Sequence, residues 1–300
     1  MLVPGVAPRR RPAPGRDPLY SSRVQPDDFT IRFWGVRGSI ACSGPETARY
    51  GGNTSSIEVR CGDRLLLFDG GTGIRYLGNL LAAETPIDAD LFLTHTHFDH
   101  VCGLPFFRPF FDPRNTFRLW AGHLADGLTL RRVLFEFMMT PLFPVAPDVF
   151  RANVSYREFT AGNTLSPAPA ITVRTAPLNH PNGATGYRVE YAGRSVCYLT
   201  DTEHVPGAPD RHILSLIADA DLVIYDCMYT DAEHADGHVG WGHSTWQEGV
   251  RLCKAANAKR LVVFHHDPDH NDDALDAIGR DVGAAMPGAL LAREGMVLRP

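Results

Sequence analysis

The stretch Thr94-His95-Thr96-His97-Phe98-Asp99-His100 carries four metal-binding side chains within six residues. It follows the apolar run Leu91-Phe92-Leu93, which reads as a buried strand ending in a turn. In extended backbone the side chains alternate, so His95 and His97 point to the same side. Asp99 and His100 fall at the bend and can face a second ion. Four donors plus ligands from elsewhere exceed one tetrahedral site, so the spacing predicts two metals. Two ions need further ligands, and the chain offers single donors where apolar runs end. His180 follows Leu178-Asn179, Asp201 ends Val196-Cys197-Tyr198-Leu199-Thr200, and His265 ends Leu261-Val262-Val263-Phe264. Site residues in α/β proteins gather at such strand ends. His266 is adjacent to His265, and the register decides which of the two points inward.

The elements that must position these residues are short and alternate along the chain. Strands are expected at 30–34, 56–60, 64–68 and 117–121, with glycine-rich turns at 35–39, 50–54 and 69–73. Residues 74–81 read as a helix and 103–111 as a short aromatic helix. The segment 124–150 breaks the rhythm with Leu134, Phe135, Phe137, Met138, Met139, Leu142 and Phe143 among prolines. It is expected to pack as a helix and loop, with a substrate lid or a dimer contact as its alternative role. Further strands are expected at 171–175, 186–191, 195–199, 222–225, 261–264 and 289–298. Helices are expected from a Ser244 cap, with Gln247 at capping-box spacing, to about 256, and over 272–285. The alternation implies an α/β layered domain. Asp69 and Asp226, at strand ends, could orient ligands from behind, and His204 could line the pocket.

The whole-chain numbers narrow the classes. The 300 residues suffice for one large domain or two small ones, and 44% hydrophobic with 21% charged residues is ordinary for a globular protein. A net charge of −5 supplies no general basic field, so no long nucleic acid is expected as a partner. The six cysteines form no C-x-x-C pair, which points to reduced thiols and a cytoplasmic setting. Cys102, two residues past His100, is expected to be a small buried residue rather than a ligand. No apolar stretch is long enough to span a bilayer, so no membrane partner is expected. Residues 1–28, rich in Pro and Arg and including Arg9-Arg10-Arg11, are expected to form a flexible leader, with 29–300 the catalytic domain.

The T-H-T-H-F-D-H cluster, the lone His180, the Thr200-Asp201 pair and the late strand-end histidine resemble the metallo-β-lactamase superfamily from about residue 30 onward. The resemblance implies a four-layer αβ/βα sandwich. It also implies His95, His97 and His180 on one metal, Asp99, His100 and His265 on the other, and Asp201 between them. Gly35-Val36-Arg37-Gly38-Ser39, Gly51-Gly52-Asn53-Thr54-Ser55-Ser56 and Gly242-His243-Ser244-Thr245 look like the phosphodiesterase branch that contains ribonuclease Z. In that branch the histidine before Ser-Thr serves near the phosphate, which implies a catalytic role for His243 beside Asp99. His97 stands where the superfamily's di-iron oxygen reductases resemble a glutamate, which argues against that chemistry.

Histidine nitrogens with carboxylate oxygens fit zinc, with manganese or iron as alternatives. Five neutral imidazoles and two carboxylates around two divalent ions leave a charge of about +2, which prefers an anion. A bridging water with pKa near 7 would then attack phosphorus. The expected function is therefore a dinuclear phosphodiesterase on a small or nucleotide phosphodiester. A lactone or thioester hydrolase and a metal-bound ligand sensor are the alternatives. The segment 124–150 is aromatic and no basic, glycine- and proline-rich arm is visible, so a small anionic substrate is expected in place of transfer RNA. A homodimer fits the apolar segment.

Overall fold

A computed structural model describes residues 28–300. The expected leader lies outside the described residues except for Asp28, and so does Arg9-Arg10-Arg11. The first sheet is built from β1 (Phe29–Gly35), β2 (Ser56–Cys61), β3 (Arg64–Phe68), β4 (Asp88–Leu93), β5 (Thr116–Ala121) and β6 (Asn153–Glu158), in that spatial order. The second runs through β7 (Thr164–Ala168), β8 (Ile171–Leu178), β9 (Ala184–Tyr191), β10 (Arg194–Leu199), β11 (Leu222–Asp226), β12 (Leu261–Phe264) and β13 (Leu290–Leu291). β14 (Val297–Leu298) returns to pair with β1. The expected closing strand over 289–298 is thus two short strands, one in each sheet.

Three apolar layers hold the sheets and helices together. Phe29, Ile31 and Phe33 of β1 meet Val196 and Tyr198 of β10, Ile224 of β11 and Val262 and Phe264 of β12 between the sheets. Outside the first sheet, Leu91 and Leu93 of β4 pack with α1 (Ile74–Leu81) and α3 (Leu130–Phe137). Outside the second, Tyr225 and Val263 pack with α4 (Arg211–Ile217), α5 (Trp246–Ala255) and α6 (Asp272–Ala285). Helix, sheet, sheet and helix give the four-layer αβ/βα arrangement expected from the sequence. β4 is buried on both faces, which is why it reads as a continuous apolar run.

Phe92 carries the inner face of β4. Parallel pairing sets it opposite Phe68, and its ring stacks on Phe68 at 5.2 Å and on Trp120 at 5.7 Å. Phe92→Ala is expected to destabilise the metal-free protein by about 3–5 kcal/mol in denaturant unfolding, the range for a buried aromatic emptied to a cavity.

Several elements differ from expectation for local reasons. Residues 103–111 form two 3-10 turns, Leu104–Phe106 and Arg108–Phe111, because Pro105 and Pro109 cannot donate to a continuous helix. The cap of α5 is Thr245, whose hydroxyl accepts from Glu248 N–H at 3.1 Å. Ser244 instead bonds His204 and Tyr225, and the Gln247 side chain accepts from Asp231 N–H. The segment 124–150 does pack as a helix and turns, burying Leu130, Leu134 and Met138. Phe137 also reaches Phe98, the residue after His97, at 6.2 Å between ring centroids. Among the described residues no helix is long and apolar enough to cross a membrane.

Candidate metal centre

β3, β4 and β5 run parallel in one sheet and β10, β11 and β12 in the other. The carboxyl ends of five of these strands (β3, β4 and β10 to β12) therefore open at a common edge, where side chains can converge from both sheets. The turn after β4 supplies His95 and His97, and α2 (Phe98–Val101) supplies Asp99 and His100. His180 follows β8, Asp201 follows β10, Asp226 ends β11 and His265 follows β12. Asp69, Asp201 and His265 all adopt left-handed backbone, with φ of 58°, 60° and 62°. Such conformations are costly for residues with side chains and gather at functional sites, where they turn a side chain sharply off its strand.

The convergence is tight and forms two lobes around Asp201. On one side, His97 Nδ1 and His180 Nε2 lie 3.0 Å apart. Asp201 Oδ1 lies 3.7 Å from His180 Nε2 and 3.8 Å from His95 Nε2. On the other side, Asp201 Oδ2 lies 3.2 Å from both His100 Nε2 and His265 Nε2. Asp99 Oδ2 is 3.1 Å from His100 Nε2 and 3.4 Å from His265 Nε2. The groups His95-His97-His180 and Asp99-His100-His265 each bring three ligand atoms within 4.8 Å of one another. All seven candidate ligands thus share one site. Cys102 belongs to no such group among the described residues.

Donor chemistry fits a divalent cation. The Nε2 atoms of His95, His100 and His265 are buried and meet none of the carboxylate oxygens 3.1 to 3.8 Å away in hydrogen-bond geometry, an arrangement that costs free energy unless something accepts their lone pairs. Burial, followed by the neighbouring His100, pushes the His95 imidazole well below its ordinary pKa, toward the neutral form that binds metal. Burial alone would raise the Asp99 carboxyl, but His100 and His265 hold it far below the usual carboxylate range.

A second ring of contacts aims these groups. Asp69 accepts from His100 Nδ1 at 2.9 Å, from Thr94 N–H at 2.8 Å and from the Tyr198 hydroxyl at 2.8 Å. That fixes His100 with Nε2 toward the centre, as partners behind metal-ligating histidines do. Ser39 N–H donates to Asp99 Oδ2 at 2.9 Å, and Gly38 packs so closely that an added Cβ would sit 2.6 Å from the His265 ring. His180 Nδ1 donates to Gly242 O at 2.7 Å. Tyr198 and the Ser39 amide escaped the sequence reading: a tyrosine inside an apolar strand reads as core, and a backbone donor leaves no signature beyond its turn.

His243 lies at the same edge, with its ring stacked on His265 at 5.1 Å. Its Nδ1 donates to Asp226 Oδ2 at 3.0 Å. Burial disfavours the charged ring, yet Asp226 outweighs it and raises His243 to about 9. Asp226 is itself held by Thr202 N–H and Met228 N–H. His204 bonds the Ser244 hydroxyl through Nδ1 at 2.9 Å and stands behind this pair.

His265 turns into the cluster. His266 turns away, its Nε2 donating to Ala292 O at 2.8 Å, and burial lowers it to about 3. His265→Ala is accordingly expected to lower metal content per chain. His266→Ala should leave metal content unchanged and lower the melting temperature by losing a buried hydrogen bond, about 1 to 3 kcal/mol. Elemental analysis and thermal unfolding of both variants check this.

The fold and site have counterparts among known proteins. Ribonuclease Z of Haloarcula marismortui is 24% identical, with 90% of this chain and 96% of that one covered. The metallo-beta-lactamase fold protein YhfI from Bacillus subtilis superposes with a TM-score of 0.67 at 19% identity, over 90% of this chain and 98% of that one. The short form of human tRNase Z gives 0.63 at 22% identity, over 90% and 98%. These relatives overturn the expectation of a small anionic substrate and no long nucleic acid, since two of the three are ribonucleases by name. The inference failed because a charge of −5 is a sum over the whole chain, whereas a phosphodiester is drawn by the field at the site edge, where cations would dominate. The family model of the beta-lactamase superfamily domain matches residues 64–266, and the chain belongs to that superfamily.

Proposed function

We propose that this metal-dependent hydrolase cleaves phosphodiester bonds at a centre of two divalent ions, zinc by donor type, with RNA as the substrate class. The observation that carries the reading is the set of three buried Nε2 atoms of His95, His100 and His265, which face the carboxylates of Asp99 and Asp201 at 3.1 to 3.8 Å without hydrogen-bond geometry. The ribonuclease names of its relatives support the choice of RNA. When bound, two such ions supply a hydroxide nucleophile at neutral pH and stabilise the charge of an in-line displacement.

The chain's own residues do the rest. Asp201, lying between the two histidine groups, would hold the ions together with Asp99 and the five histidines. Asp69 and Gly242 O orient His100 and His180, so that neither ring must reorganise during turnover. With Nδ1 committed to Asp226, His243 keeps Nε2 for the substrate. In its charged form that nitrogen holds the proton that the leaving oxygen needs.

The test uses protein stripped of metal and reloaded with zinc or manganese, assayed on bis(p-nitrophenyl) phosphate and on a transfer RNA. Reloading is expected to restore hydrolysis of both in step with metal content. Activity that survives complete stripping, or no cleavage of any phosphodiester by fully loaded protein, would overturn the reading.

A further inference from the structure

The loop that carries His243 is held locally by Trp241, whose N–H donates to His238 O at 3.2 Å and whose ring packs edge-on against His238 at 5.0 Å. Residues 239–242 are Val-Gly-Trp-Gly. Val239 and Trp241 are 64% and 60% exposed, so burial does not anchor them. Gly240 and Gly242 have φ of 90° and 85°, a region glycine enters freely and leaves as freely. Yet two contacts at the metal centre depend on this loop. Gly242 O accepts from His180 Nδ1, and the next residue is His243. The approach is close enough that a Cβ on Gly242 would lie 2.5 Å from that same nitrogen.

What ties the loop to the segments bearing the candidate ligands is a carboxylate from elsewhere. Glu203 accepts from Gly240 N–H through Oε1 at 2.7 Å and from Gly242 N–H through Oε2 at 2.8 Å. Its side chain is 13% exposed, and His234 Nε2 lies 3.5 Å from its Oε1. The Glu203 backbone is fastened as well: its N–H donates to Asn179 O at 2.7 Å, and its carbonyl accepts from Asn179 Nδ2 at 2.8 Å. Asn179 directly precedes His180, and Glu203 stands two residues after Asp201. One residue therefore ties together the segments bearing Asp201, His180 and His243.

We propose that Glu203 is a positioning residue that clamps the Gly240–Gly242 loop, fixing the tautomer and orientation of the His180 ring and the placement of His243. A carboxylate spanning two amides two residues apart sets the loop's register as a single amide contact would not, and charge-assisted bonds of this kind are the stronger ones. Without it, Gly242 O drifts, His180 loses the acceptor that keeps its proton on Nδ1, and Nε2 is no longer reserved for metal. The consequence for catalysis rests on the function proposed above; the clamp itself does not.

The test compares the full chain with Glu203→Ala and Glu203→Gln. Nitrogen NMR of histidine-labelled, metal-free protein reads the His180 tautomer, and calorimetric titration with zinc reads affinity. Steady-state hydrolysis of bis(p-nitrophenyl) phosphate separates kcat from KM. In the parent, His180 should hold its proton on Nδ1. Glu203→Ala should give averaged nitrogen shifts, a loss of about tenfold or more in zinc affinity at one equivalent, and a fall in kcat larger than the change in KM. Glu203→Gln keeps one acceptor and sets an NH2 against the other amide, so its effects should lie between. A folded Glu203→Ala protein with the parental His180 tautomer and zinc affinity would overturn the clamp. If Glu203→Ala does not fold, parental values in Glu203→Gln do so. A parent that binds no zinc defeats the metal reading instead, and the tautomer measurement still decides the clamp.

Discussion

On the proposed two-ion centre, Asp201→Ala is expected to lower metal content from two equivalents per chain to one or fewer and to reduce phosphodiester hydrolysis below detection. The reason is its position between both histidine groups. Oδ1 faces His95 and His180 while Oδ2 faces His100 and His265, so no other residue can take over both contacts. The carboxylate is buried and its pKa lies well below the ordinary range: burial alone would raise it, but His265 and His100 outweigh that. Losing a supporting contact behind a ligand costs about 10–100-fold in metal affinity, and losing a ligand shared by two ions should cost more. The check is elemental analysis after dialysis, paired with a zinc-reloaded assay. Asp201→Asn keeps the shape without the charge and should bind metal between the two extremes. Two tightly held equivalents in Asp201→Ala would remove this residue from the centre.

Much of this arrangement was legible because the chemistry is concentrated in one turn. His95, His97, Asp99 and His100 announce themselves by spacing, and the fully buried β4 before them by its apolar run. Single donors such as His180, Asp201 and His265 became readable because all three follow strands in a chain that already carries the cluster. The choice between His265 and His266 did not follow from sequence. It turns on a left-handed residue at His265, φ 62°, that no propensity announces. Edge strands β6 and β7 were invisible for a different reason. Asn153–Glu158 is half exposed and polar, and β7 holds Pro167, which an edge tolerates and a central strand does not. Helix α4 had a signal that was passed over: Asp210 caps it by accepting from His212 N–H and Ile213 N–H. Long-range partners such as Tyr198 with Asp69, or Glu203 with Gly240, depend on packing between elements far apart in the chain, which local pattern cannot encode.

His243→Ala separates the chemistry of bond breaking from the binding of metal. Among the described residues His243 belongs to the groups His180-Asp201-His243 and Asp226-His243-His265, yet its Nδ1 is spent on Asp226 and lies 3.9 Å from Asp201 Oδ1. It therefore stands beside the seven proposed ligands, and metal content in the alanine variant should remain at the parental level. Proton transfer by a positioned side chain contributes about 10²–10⁴-fold, so cleavage of RNA, whose leaving oxygen is a poor alkoxide, should slow by that amount. With bis(p-nitrophenyl) phosphate the leaving phenolate needs no proton, and the loss should shrink to a fraction of that factor. Equal losses on both substrates would mean that His243 binds the phosphoryl oxygens and donates nothing to the leaving group. Asp226→Asn adds the complementary result. It leaves His243 in place but removes the charge that raises its pKa, so the variant should follow His243→Ala on RNA and stay near the parent on the activated diester.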